Sequence, residues 1–156
     1  MAGKIFVDTN VVLRFFFREL ANHRECRTIL RTLKREGVEL CINGQVIREF
    51  YVRALHPRTF EEVTVTERAL PPETEWVLRI VESLPELFHI VDQPDAVHEL
   101  LPQLLREYEV GWRKTHDTNI LATMLVHDID TICSLDSDFE SFSDRVTILR
   151  PQVNPA

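Results

Sequence analysis

Short apolar runs alternate along this chain with longer stretches whose apolar residues recur every three or four positions. The first run, Lys4 to Val7, reads as a strand. It ends in Asp8-Thr9-Asn10, residue types that suit a helix N-terminus, and Val11 to Phe17 is predicted as a short helix behind it. From about Glu19 to Arg35, Cys26, Ile29, Leu30 and Leu33 share one helical face. Arg24, Arg27, Arg31, Lys34 and Arg35 lie opposite, and Gly37 is placed to end the helix. Val38 to Ile42 reads as a buried strand, with Asn43 capping a helix that runs to about Arg53. His56 to Pro72 is a connection without a readable pattern. Pro72 and Glu73 open a further helix, with Trp76, Val77, Ile80, Val81 and Leu84 on one face, and Phe88 to Val91 is the third strand. Beyond Asp95, Val97, Leu100, Leu101, Leu104, Leu105 and Tyr108 fit a helix that Pro102 should kink or split. A helix from about Asp117 to His127, a strand at Thr131 to Ser134, a polar turn at Asp136 to Phe142 and a strand at Val146 to Leu149 complete the reading.

Strands alternating with amphipathic helices imply an α/β fold: a three-layer α/β/α sandwich around a central, mostly parallel sheet of about five strands. The 156 residues suffice for one domain, expected over 1–150, with 151–156 as a C-terminal tail. Apolar residues at 44% and charged residues at 28% exclude extensive disorder. No apolar run approaches the roughly 20 residues that span a bilayer. Asp8, Asn10 and Arg14 interrupt the hydrophobic N-terminal stretch, so a secretory leader is not expected and the protein reads as cytoplasmic. Cys26, Cys41 and Cys133 are widely spaced and read as buried, reduced thiols rather than a disulfide or zinc framework.

Parallel sheets place their sites at the carboxyl ends of the strands. Four acidic positions answer to that rule. Asp8 follows the first strand, and Asp136 the fourth, with Asp138 two residues on. Asp117 opens a helix near the same edge, and Glu49 sits on the shoulder of an apolar stripe that includes Val46 and Phe50. Carboxylates gathered at one edge repel each other and raise each other's pKa unless cations intervene. An all-oxygen set with no suitably spaced Cys or His points to Mg²⁺ or Mn²⁺. Such an ion can lower the pKa of a bound water, orient it and stabilise a leaving oxygen. It would also reconcile a net charge of −7 with an anionic substrate.

The same residues resemble the PIN-domain family. Phe6-Val7-Asp8-Thr9-Asn10 is similar to its opening motif, and Glu49 in Val46-Ile47-Arg48-Glu49-Phe50 to its helical glutamate. Asp117 in His116-Asp117-Thr118-Asn119-Ile120-Leu121-Ala122 resembles its third acid. Cys133-Ser134-Leu135-Asp136-Ser137-Asp138-Phe139 resembles its closing motif. The ordered set spans essentially the whole chain, at a size typical of VapC-type toxins. The resemblance implies a Mg²⁺-dependent endoribonuclease, toxin of a toxin–antitoxin pair, that forms homodimers and is inhibited by a small antitoxin. It implies Asp8, Glu49, Asp117 and Asp136 as catalytic acids and metal ligands, with Asp138 a further ligand and Asp136 favoured over it. Thr9 and Asn10 would orient the first acid and Ser134 would support the last motif. The stretch between Glu49 and Asp117 is long for a minimal toxin.

Plainer readings stand beside these. Asp8 and Asp117 suit helix starts without any chemistry, Glu49 suits a helix surface, and Asp136 and Asp138 suit a turn. The basic face from Arg24 to Arg35 reads as a solvated helix face more than as an RNA track. Arg113, Lys114 and His116, just before Asp117, are better placed to touch RNA phosphates. Trp76 and Trp112 are expected in a core or an interface. Phe15, Phe16 and Phe17 cannot all face one core, so some are expected against a partner. Two other functions compete: a PIN-like binding scaffold without catalysis, and a phospho-acceptor or haloacid-type enzyme with Asp8 as nucleophile. The latter wants a lysine near a late strand, and none occurs from Thr115 to Ala156.

Overall fold

The computed structural model describes residues 3–56, 59 and 74–152. Five strands, β1 (Lys4–Val7), β2 (Glu39–Asn43), β3 (His89–Val91), β4 (Thr131–Cys133) and β5 (Thr147–Leu149), form one sheet in the order β3-β2-β1-β4-β5. Every pairing is parallel, so the sheet is wholly rather than mostly parallel. Among the described residues six helices flank it: α1 (Thr9–Phe16), α2 (His23–Arg35), α3 (Gly44–Leu55), α4 (Thr74–Leu87), α5 (Asp95–Glu107) and α6 (Thr115–Val126). α1 packs on α2 and α3, α3 on α4, and α5 on α6, which gives the expected α/β/α layering. The core lies on both faces of the central strands, where Phe6, Val7, Cys41, Ile42, Ile132 and Cys133 are buried against Phe50, Leu84, Leu121 and Met124. The three cysteines are free and buried, and burial pushes their thiols up to about 11 or 12.

Local chemistry accounts for most element ends. Asp8 caps α1 by accepting from Thr9 N at 2.8 Å, and Asn43 caps α3 by accepting from Val46 N at 3.0 Å. α2 stops in a Schellman motif. Gly37, at φ 82°, donates to Lys34 O, and Val38 N donates to Leu33 O, a turn that only glycine enters without strain. Three expectations shift. α2 starts at His23 rather than near Glu19, because Asn22 adopts the left-handed conformation (φ 64°) directly before it. α6 starts at Thr115, so Asp117 lies in its first turn rather than at its opening. α5 runs unbroken through Pro102, which is exposed, as is His98, whose carbonyl the missing N–H leaves to water. The patternless connection and the expected start of α4 at Pro72 and Glu73 lie outside the described residues, apart from His56 and Thr59.

Phe17 is buried and stacked with Phe50 at 6.0 Å, whereas Phe15 and Phe16 are half-buried at the core's edge. Neither tryptophan is in the core: Trp76 is 48% exposed, its ring edge-on to Phe17, and Trp112 is 81% exposed.

Candidate active site

In the sheet order β3-β2-β1-β4-β5 the chain leaves β1 in one direction and later returns to its other side. The carboxyl ends of β1 and β4 thus form the switch point at which such sheets open a crevice. A cleft of about 710 Å³ lies there. Asp8, Glu49, Asp117, Asp136 and Asp138 all line it, brought together from β1, α3, α6 and the turn after β4. Arg48, Arg53, His98, Arg113 and His116 line it as well. Lys114 instead donates to Ser141 Oγ at 3.3 Å.

Asp8 is 6% exposed and held from three sides. Thr9 N donates to Oδ1, while Asn10 Nδ2 and Ser134 Oγ donate to Oδ2 at 3.0 and 2.7 Å. Asn10 Oδ1 accepts from Leu135 N, and Ser134 Oγ accepts from Asp136 N at 3.1 Å. Residues from opposite ends of the chain are thereby locked across the β1–β4 seam. Thr9 touches two acids: its N–H donates to Asp8, and its hydroxyl donates to Glu49 Oε2 at 2.8 Å.

Gln45 was not anticipated. Its Nε2 donates to Glu49 Oε1 at 2.8 Å and to His116 O at 3.1 Å, while its Oε1 accepts from Asn119 Nδ2 at 2.7 Å. These bonds fix the amide's orientation and tie α3 to the start of α6. The i, i+4 spacing of Gln45 and Glu49 was a signal available in the sequence; the link to α6 was not. Arg48, Arg53 and His98 also escaped notice, since an exposed basic residue on a helix carries no mark of what it faces.

Carboxylates outnumber arginines in the cleft. Desolvation raises the Asp8 carboxyl to about 6, against the lowering effect of Ser134 and Thr9 N, with further raising by Asp136 and Glu49. Desolvation also raises Asp117 to about 7, followed by the charges of Asp138, Asp8, Glu49 and Asp136. Asp138 thus acts on Asp117 and Asp136 on Asp8, so both acids of the closing motif belong to the cluster. Among the described residues none of the five is ion-paired with lysine or arginine. As the side chains stand, no three histidine, cysteine or acidic groups among the described residues are gathered tightly enough to hold an ion. Asp136 and Asp138 are exposed, and Glu49 and Asp117 half-buried. In donor chemistry and in unbalanced charge, the residues fit a divalent cation.

A parallel α/β domain with carboxylates at its switch point is the class of protein that fold and cleft define. The PIN domain family model matches residues 5–144, and the chain belongs to that family, whose members are generally nucleases. No curated protein matches the sequence. Among solved structures the chain is similar to one in VapBC2 from Rickettsia felis bound to a DNA fragment from their promoter. There the TM-score is 0.64 and the identity 10%, over 94% of this chain and 98% of that one. It is similar to a chain in a toxin–antitoxin complex from Klebsiella pneumoniae, with TM-score 0.57 and 19% identity over 95% and 98%. It is also similar to Mycobacterium tuberculosis VapC20, a sarcin–ricin loop cleaving toxin, with TM-score 0.62 and 14% identity over 89% and 95%. At these identities the likeness is one of fold. Among the described residues no helix is long and apolar enough to cross a membrane.

Proposed function

We propose that this chain is a divalent-metal-dependent endoribonuclease and the toxin of a toxin–antitoxin pair. The observation that carries this reading is the single cleft lined by five unpaired carboxylates from distant parts of the chain. Membership of a family of nucleases, and a fold shared with an RNA-cleaving toxin and with a toxin–antitoxin complex, support the same reading.

Asp8, Glu49, Asp117 and Asp136 are the proposed catalytic acids. With Asp138 they would hold Mg²⁺ or Mn²⁺. A bound ion supplies Lewis-acid stabilisation of phosphate oxygens and a water of lowered pKa. The chain's own part is orientation. Ser134, Asn10 and Thr9 N fix the Asp8 carboxylate, while Thr9 Oγ1 and Gln45 fix that of Glu49. Arg113 and His116, with Arg48 and Arg53 across the cleft, bind the RNA backbone as point contacts that set its register. Lys114, whose exposed amine donates to Ser141 Oγ at 3.3 Å, is a further proposed phosphate contact beside them. Antitoxin binding and pairing with a second copy belong to the same proposal. The exposed Val52 and Leu55 on α3 and Trp76 on adjacent α4 offer apolar surface for such contacts.

The test is cleavage of single-stranded RNA with Mg²⁺ and with EDTA, comparing wild type with Asp8→Asn and Asp117→Asn. Cleavage should need the metal, and each substitution should lower it by about 10² or more. Undiminished cleavage in EDTA, or by both variants, would refute the reading.

A further inference from the structure

The 3-10 turn Trp112–Lys114 lies directly ahead of α6, in whose first turn Asp117 sits. Two neighbours in this turn divide their work. Arg113 lines the cleft, and its guanidinium also lies 5.2 Å from the Trp112 ring centroid. The indole itself is 81% exposed, the most open large apolar side chain among the described residues. One ring face is therefore covered by a cation at the cleft's rim while the rest meets solvent. Nothing in the core packing accounts for an indole there.

We infer that Trp112 is a stacking platform for an unpaired base of the RNA strand crossing the cleft, with Arg113 held between the ring and the backbone phosphate. The inference rests on the ribonuclease reading and deepens it. The chemistry of the rim selects the occupant. Arg48, Arg53 and Arg113 line the cleft of a chain whose net charge is −7, so fixed positive charge stands beside the acids, with the imidazoles of His98 and His116 lining it as well. A ligand that carries regular negative charge and flat aromatic faces matches both halves of the turn. Single-stranded nucleic acid is that ligand, and every base has a face that stacks. A guanidinium over one face of an indole favours the sandwich, since its charge polarises the ring against which the base lies. The strand would pass from the arginines of α3 to the turn ahead of α6. The base on Trp112 would lie outside the cleft, on a nucleotide flanking the one that is cut. Trp112 thus contributes to binding and to the choice of single strand over duplex, in which the bases are already stacked.

The chain has two tryptophans, so Trp76→Phe leaves Trp112 as the only indole. In EDTA, where the proposed cutting does not occur, titrating this variant with a single-stranded oligoribonucleotide should quench its fluorescence. An RNA duplex of the same length should quench it far less. In cleavage assays with Mg²⁺, Trp112→Ala should raise KM about tenfold with kcat within a factor of two, and Trp112→Tyr should restore most of the loss. A substrate abasic at the stacked position should be as poor for wild type as the intact substrate is for Trp112→Ala. Absence of quenching at saturating RNA, or an unchanged KM in Trp112→Ala, would overturn the inference and leave the indole to a protein partner. The two readings fail separately. Metal-dependent cleavage with an indifferent Trp112 sinks only the platform, and quenching without any cleavage sinks only the nuclease.

Discussion

Replacing Asp8 by Asn should stabilise the metal-free protein while destroying its proposed activity. Burial raises the Asp8 carboxyl from 3.8 to about 6. A raised folded-state pKa means the native chain holds that proton more tightly than the unfolded chain does. Ionised Asp8 therefore costs stability, in full above pH 6 and less as pH falls from 6 towards 3.8. The gap corresponds to about 3 kcal/mol at pH 8. The amide escapes this penalty but pays another. Its nitrogen replaces an oxygen that accepts from Asn10 Nδ2 or Thr9 N, which leaves a buried donor poorly matched at about 1–2 kcal/mol. The net is a gain of roughly 1–2 kcal/mol at pH 8, or about 3–6 °C in Tm for a domain of this size. By about pH 4.5 the wild-type penalty shrinks to roughly 1 kcal/mol, and the advantage should vanish. Thermal unfolding of both proteins in EDTA at the two pH values measures this directly. Adding Mg²⁺ at pH 8 should reverse the order, since an ion that binds only the folded wild type raises its Tm alone. An Asp8→Asn protein less stable than wild type in EDTA at pH 8, or a gap of equal size at both pH values, would refute the reasoning.

Two further variants probe the cleft and the fold. Thr9→Val keeps the shape of the side chain but removes the hydroxyl that donates to Glu49. Cleavage should fall about tenfold, and half-maximal activity should need more Mg²⁺, read from a metal titration of initial rates. Gly37→Ala forces a Cβ into the left-handed turn that ends α2 (φ 82°). It should cost about 1 kcal/mol in urea unfolding with no change in KM.

What the sequence displayed and what it withheld divide along chain separation. Caps, periodicity and the stop at Gly37 are interactions among near neighbours, so the strands and most helix ends were legible. The switch-point rule then carried Asp8, Asp117, Asp136 and Asp138 to one edge. The bond from the Thr9 hydroxyl to Glu49, 40 positions away, was not legible, because only the packing of α1 on α3 decides it. Gln45 was missed for the same reason, its bonds to His116 and Asn119 spanning 71 and 74 positions. Of the two expectations for Pro102, the split does not occur. The cost of a proline depends on whether the orphaned carbonyl is wet, and exposure is not written in the residue itself. Of the two places expected for Trp112, the core is excluded by its 81% exposure, because size and hydrophobicity predict burial only on average.

The central strand β1 is paired on one side by β2, early in the chain, and on the other by β4, which comes only at Thr131–Cys133. The seam that holds Asp8 can therefore close only after the residues up to Cys133 have been made. Asp136 and Asp138 come later still. The proposed nuclease could not act on RNA before that point in its synthesis.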